Sequence, residues 1–452
     1  MTLNERRKVL ELFEENKDFF DKKVTQGIER YRKGDARIYL VDSSGDAISG
    51  AQVSLKQLSH EFRFGANLFM LDELETEEKN DKYKKYFSEL FNMATIPFYW
   101  DALEPKRRRT RYRKDSSKIY RRPAPDLCLE YCEKHGIEPR EHGLAYDQFF
   151  PKWIRNMSIQ EVKNALRHHF MEISDRYADK IRTIEVTNEM DWAEGKSAFY
   201  EDPNYVDWCF KLAGGFFPHN QLVINECTRL AWDTKKGRTT DQYYAYIESN
   251  ILKGSPIDAI GMQYHLFNKR EDEYNATRRT LDPVSLYRHM DLYSRFGKPL
   301  QITEVTVPAY SWEREDEFIQ ADIIEKLYSL WFSHPNVEQI IYWNLIDGYA
   351  HLWDPDPQKI AASQGDMTIG ENYYYGGLLR FDLSPKPAYY TIKELTQKIW
   401  HTEGVYTSDD LGAINFRGFY GKYQININVK DTTIRKDIYL SKKSDNVFRI
   451  TL

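Results

Sequence analysis

Two glutamates close apolar, β-branched runs in this sequence: Glu189 follows RTIEVTN and Glu304 follows KPLQIT. A carboxylate there leaves the end of a strand, where a barrel or open sheet places its reacting groups. Two carboxyls roughly 5–5.5 Å apart, on opposite sides of a glycosidic bond, are what cleavage with retention requires. One must be neutral near pH 7 to protonate the leaving oxygen, and the other ionised to attack. Taken singly, each glutamate reads equally well as a cap or an ion-pair partner. The matched pair carries the reading.

Neighbouring residues fit the same chemistry. Asn188 precedes Glu189 and can donate to a sugar hydroxyl, a contact that strengthens in the transition state. His265 ends DAIGMQYH, where an imidazole can hydrogen-bond Glu304 and keep it ionised. His142, in EHGLAYD, reads either as a structural imidazole or as a site residue. Trp343, in IIYWNL, is either a sugar-stacking floor or core.

These residues need a scaffold that gathers strand ends. From about residue 60 to 400, short apolar runs alternate with amphipathic helical stretches, which predicts a parallel sheet. The expected strands are Phe62–Leu68, Met93–Trp100, Glu138–Tyr146, Ile181–Asn188, Gln221–Asn225, Ile257–Tyr264, Leu300–Val305 and Gln339–Asn344. Helical patterns between them include EEKNDKYKKYFSELF, IQEVKNALRHHFMEISDRYA, DQYYAYIESNIL and EFIQADIIEKLYSLWFS. Eight such units over about 340 residues fit an α/β fold of the (β/α)8 TIM-barrel type. Glu189 then ends the fourth strand and Glu304 the seventh. A doubly wound sheet is the alternative, but no glycine-rich phosphate loop follows the first strand.

Around the 60–400 barrel, residues 1–34 read as one N-terminal helix. Residues 35–59 read as a β-hairpin about Ser44-Gly45-Asp46. Residues 401–452 return to period two. Because a small isolated sheet is marginal, the two terminal β segments are expected to join into one accessory β unit.

Composition sets the outer limits. The chain has 452 residues, 41% of them hydrophobic, enough for a sizeable core. Its 64 Lys and Arg against 69 Asp and Glu give −5, which excludes a dedicated nucleic-acid binder. No apolar run reaches the roughly 18 residues a membrane span needs. Cys128, Cys132, Cys209 and Cys227 match neither a disulfide framework nor a zinc spacing. Aromatic content of 15% suits sugar recognition as well as it suits a bulky core.

On these residues the sequence resembles glycoside hydrolase family 10, the retaining endo-β-1,4-xylanases, from about Phe62 to Leu395. FNMAT with WDALEP (residues 91–105), HGLAYDQFFPKW (142–153), EVTNE, GMQYHL, ITEVTV, IIYWNLIDG and LSPKPAYYTI resemble the family's segments in order. The resemblance implies Glu189 as general acid/base and Glu304 as nucleophile. It places Asn188, His142, Gln263, His265 and Trp343 around the sugar that becomes covalently bound. It implies no metal or organic cofactor, and a carbohydrate partner, xylan or xylo-oligosaccharide.

Departures from the family pattern fall among the residues expected to contact the sugar, which here include Tyr99, Trp100 and Tyr146. The segment TIPFYW, ending Tyr99-Trp100, is two residues shorter than usual, and Tyr99 stands where the family has a lysine. Tyr146 and Asp147 replace a tryptophan and a histidine, and Tyr264 replaces a glycine. KRRRTRYRK, residues 106–114, puts seven basic residues among nine after the second strand, where they serve either to bind an acidic sugar or as a solvated loop. A long stretch between Trp353 and Gly376 is expected either to roof the site or to be an ordinary loop. Two further readings stay open: an exo-acting or decoration-specific β-glycosidase, and a non-catalytic glycan-binding protein on a barrel scaffold. The N-terminus shows no apolar signal core, so either a leader has been removed from a secreted or periplasmic enzyme or the enzyme acts in the cytoplasm on imported oligomers.

Overall fold

Two strands, β1 (Lys33–Val41) and β2 (Gln52–His60), precede a barrel made from β3 (Arg63–Asn67), β4 (Met93–Pro97), β5 (Glu138–His142), β6 (Thr183–Asn188), β7 (Gln221–Glu226), β8 (Ala259–His265), β9 (Leu300–Thr306) and β10 (Val337–Tyr342). In the computed structural model, which describes residues 2–190, 197–232, 241–352, 365–429 and 432–452, β3 to β10 close in sequence order with β10 pairing β3, all parallel. Each of the eight expected strands is present. All six residues of β6 and all seven of β9 are buried, as expected of parallel strands covered on both faces. Helices between the strands cover the outer face. Ile159–Tyr177 opens on a capping box in which Ser158 and Glu161 satisfy each other's backbone N–H groups.

The terminal segments form a sandwich, not a hairpin. β1 pairs with β12 (Ala413–Phe419) and, in parallel, with β15 (Val447–Thr451). β2 pairs with β11 (Glu403–Thr407) and β13 (Gly421–Val429), and β13 with β14 (Thr432–Leu440). The Asp42–Asp46 turn is there, but the chain then crosses from one sheet to the other. β1 and β2 each bury one apolar face, and two facing sheets enclose both faces where a lone hairpin would leave them wet. Ile38, Leu40, Val53, Leu55, Ile425 and Ile427 fill the space between.

The N-terminal helix is broken into Leu3–Arg7, Glu11–Glu15 and Lys17–Tyr31, with a tight turn at Lys8–Leu10. Asn16 interrupts it: its side-chain amide donates to the Leu12 carbonyl at 2.9 Å, in competition with the helical ladder. The break lets Val9, Leu10, Phe13 and Phe20 reach the barrel's outer core. Gly27 then lies against the backbone of Ser333, where a Cβ would collide with the Ser333 carbonyl. No described helix is long and apolar enough to cross a membrane.

Candidate active site

Closure of the barrel brings the C-terminal ends of β3 to β10 around one cavity of about 730 Å³. Tyr99, His142, Tyr146, Asn188, Glu189, Gln263, His265, Glu304 and Trp343 all line it. Trp100 does not. The second strand stops at Pro97, so Trp100 starts a short helix and its indole turns into the outer layer. There it stacks on His169 at 4.5 Å and donates to Glu104 at 2.9 Å. The expectation that Trp100 contacts sugar is therefore corrected: it is a core residue.

Glu189 and Glu304 are joined by a continuous run of hydrogen bonds. Gln263 Nε2 donates to Glu189 Oε1 at 3.0 Å and to Asn188 Oδ1 at 3.2 Å. Asn225 Nδ2 donates to the same Asn188 oxygen at 3.0 Å and to Glu304 Oε1 at 3.1 Å. With its oxygen doubly occupied, Asn188 keeps its Nδ2, which donates to no described residue. The Tyr146 hydroxyl donates to the other Glu189 oxygen. Glu189 has φ of +48°, a region side chains rarely occupy and that recurs at functional sites.

Glu304 is 3% exposed. Burial pushes its carboxyl well above the usual range; the charge on His142 pulls it back, while Glu185 and Glu189 push it further up. His265 Nε2 lies 3.2 Å from Glu304 Oε2, and its Nδ1 lies 2.9 Å from the Thr306 hydroxyl. Burial drops His265 to about 4, so near neutral pH it is an uncharged imidazole. It meets an ionised Glu304 as a hydrogen-bond donor, with Thr306 filling the other nitrogen.

Beneath them lies a buried charge cluster. Arg140 pairs with Glu185 Oε2, and His142 Nδ1 lies 2.7 Å from Glu185 Oε1. Burial alone would lower His142, but the Glu185 charge and hydrogen bond outweigh it and raise it. Burial alone would raise Glu185, yet His142 and Arg140 hold it below its ordinary value. His142 Nε2 meets the Tyr99 hydroxyl at 2.9 Å. Among the described residues, His142, Glu185 and Glu304 form the one group whose ligand atoms lie close enough together for a metal, within 4.8 Å. Both His142 nitrogens and both Glu185 oxygens are already engaged, and Arg140 brings a positive charge into the cluster. The donor set is that of an ion-pair network.

The Glycosyl hydrolase family 10 model matches residues 56–395, three quarters of the chain. The chain belongs to that family. It is 23% identical over 417 residues to Endo-1,4-beta-xylanase 1 of Arabidopsis thaliana, covering 90% of this chain and 38% of that protein. It is 25% identical over 412 residues to the anti-sigma-I factor RsgI6 of Acetivibrio thermocellus, covering 90% and 46%. The chain thus spans less than half the length of these two relatives. Its barrel matches the crystal structure of xylanase 10B from Thermotoga petrophila in complex with xylobiose, with TM-score 0.56, 22% identity, and coverage of 75% of this chain and 95% of that one.

Within this family 10 barrel, the sequence departures resolve individually. Tyr264 is buried beside the cavity, packing on Trp232 and Trp331 and donating to the Thr280 carbonyl at 3.0 Å. Its ring fills core space. None of residues 106–114 lines the cavity. Arg111 is buried and bonds the carbonyls of Ala102, Ser117 and Arg122. Arg113 pairs with Asp115, and Lys114 with Glu130. Of Tyr373, Tyr374 and Tyr375, Tyr374 lines the cavity, stacked on Phe267, with Phe267 stacked on His265. Residues 353–364 of the expected roof lie outside the described residues.

The residues that sequence reading passed over are Asn225, Glu185, Arg140, Thr306, Phe69, Arg121 and Arg122. Asn225 carried a usable signal, since it closes the run QLVIN at the same strand-end position as the two glutamates. A search restricted to ionisable residues skips it.

Proposed function

We propose that this chain hydrolyses β-1,4-glycosidic bonds of xylan or xylo-oligosaccharides with retention, by double displacement. The observation that carries the reading is the hydrogen-bond run Glu189–Gln263–Asn188–Asn225–Glu304 along the wall of one cavity. In this reading Glu304 attacks the anomeric carbon, accepting hydrogen bonds from Asn225 and from neutral His265. Glu189, held by Tyr146 and Gln263, protonates the departing oxygen and then activates the water that releases the sugar. The free Asn188 amide faces the sugar, and Trp343, edge-on to Phe69 and His142, forms the floor. The upward push on Glu304 keeps attack slow in acid and places the acid limb of the rate above the ordinary carboxylate range.

The test is the anomeric configuration of the first product. Proton NMR of a xylo-oligosaccharide digest should show the β anomer appearing first and mutarotating later. First appearance of the α anomer, or no cleavage of any xylan-derived substrate, would overturn the proposal.

A further inference from the structure

Arg121 and Arg122 follow the basic loop directly, and both line the cavity. They stand on the stretch of wall formed with Phe69, Tyr99 and Phe149, the three rings that the Arg122 guanidinium approaches. Arg121 has φ of +60°, and the Arg111 guanidinium grips the Arg122 carbonyl at 3.3 Å. The basic loop therefore braces this pair without itself touching the cavity.

The two guanidiniums differ in what they still lack. Arg121 donates to Asn344 Oδ1 at 2.9 Å and to the Tyr349 carbonyl at 2.7 Å. Asn344 in turn donates to Glu371 at 3.0 Å, so one carboxylate lies behind it. Arg122 stacks over the Tyr99 ring at 3.8 Å, with Phe149 and Phe69 at 5.4 and 5.5 Å. Its Nη1 bonds the Arg121 carbonyl at 3.0 Å, and it has no other hydrogen bond to a described residue. No carboxylate among the described residues lies within ion-pair distance, although the more distant Asp101 favours its charge. Burial lowers its pKa, the mark of a cation short of partners.

A buried guanidinium with spare donors is costly unless something charged meets it. Its planar fork matches a carboxylate in two parallel bonds. We propose that Arg121 and Arg122 form a carboxylate-binding end of the cleft, so that the preferred substrate carries a uronic acid where the sugar chain lies against Tyr99. The word substrate rests on the hydrolase reading above; the binding claim rests on the cavity wall alone.

Two measurements separate these claims. The first compares kcat/KM on a neutral xylo-oligosaccharide with that on one of equal length bearing a glucuronate. The charged substrate should be preferred roughly tenfold or more, the size of one charge-assisted hydrogen bond. Arg122→Met should bring the ratio near one, and Arg122→Lys should restore part of it. The second measures affinity for the same two oligosaccharides by calorimetry in the Glu304→Ala protein, with and without Arg122→Met, so that it needs no turnover. Equal or weaker binding of the charged oligosaccharide, or a ratio unmoved by Arg122→Met, overturns the carboxylate site. Absence of cleavage with the affinity ratio intact overturns the hydrolase reading instead.

Discussion

Asn225 holds Glu304 from two strands away: its Nδ2 lies 3.1 Å from Glu304 Oε1, while its Oδ1 accepts from the Thr303 hydroxyl at 2.7 Å. The two acceptors facing its other end, Glu304 Oε1 and Asn188 Oδ1, fix which end of the amide is the donor. Asn225→Asp replaces that donor with a carboxylate aimed at Glu304, and a like charge raises a carboxyl's pKa. The acid limb of kcat/KM should move to higher pH, with a loss of about 10²–10³ at neutral pH, comparable to removing one preorganised donor. A pH–rate profile superimposable on wild type would contradict this role.

The two carboxylates should fail differently. Glu304→Ala should lose several orders of magnitude on every substrate, and a small anion such as azide should restore part of the rate by occupying the vacated space. Glu189→Ala should lose far more on xylan than on aryl xylosides, whose leaving groups depart without a proton. Steady-state kinetics on both substrate types checks the pair. Near-normal turnover of xylan in either variant would remove the mechanistic assignment.

His142 is the strongest influence pulling Glu304 down, and Glu185 favours its charged form by more than burial opposes it. His142→Gln removes the cation, and the sign follows: Glu304 rises further, so less of it is ionised at a given pH. The acid limb should move to higher pH, and activity at mildly acidic pH should fall about tenfold for every pH unit the limb travels. A variant losing activity equally at all pH values would make His142 a packing residue only.

The eight strands and their closure were legible because parallel β/α units write a plain apolar rhythm with chemistry at the run ends, and those run ends meet around one cavity. Trp100 misled because an apolar run does not announce where pairing stops: Pro97 ends the strand and the indole swings outward. The charge cluster under the site was hidden in the interior of strands. Glu185 sits inside TIEVTN, and Arg140 inside EPREH, where a charge reads as a pattern fault until its partner on the adjacent strand is seen. The expected hairpin failed for a related reason. Period two reports a half-buried strand but not its partner, and β1 and β2 each pair with strands hundreds of residues away.

Arg32 joins the sandwich to the barrel floor. It precedes β1, and its guanidinium bonds the carbonyls of Phe332, His334 and Val337, the last at 2.7 Å. Arg32→Met removes the guanidinium from over the Phe62 ring and takes a donor from each of the three carbonyls, of which only that of His334 is seen to keep another, the Val337 N–H at 3.3 Å. Unsatisfied buried groups cost about 1–3 kcal/mol each, partly relieved by relaxation, so a loss of roughly 3–5 kcal/mol is expected. Chemical denaturation should show it as a lower midpoint, with the active-site pH profile unchanged. A midpoint within about 0.5 kcal/mol of wild type would mean that water replaces the guanidinium.

Gly261 tests whether backbone space, and not only side chains, sets the catalytic geometry. It lies on β8 directly beside Asn225, and a Cβ there would overlap the Asn225 Oδ1. Asn225 cannot simply turn aside, since Thr303, Asn188 and Glu304 all hold its amide. Gly261→Ala should therefore push Asn225 out of register with Glu304 and lower kcat by about 10–100-fold. The loss should be non-additive: with Asn225→Ala already present the obstruction is gone, and adding Gly261→Ala should cost little more. A double-mutant cycle measured on kcat decides it. Independent, additive losses would show that Gly261 acts on the strand itself and not through Asn225.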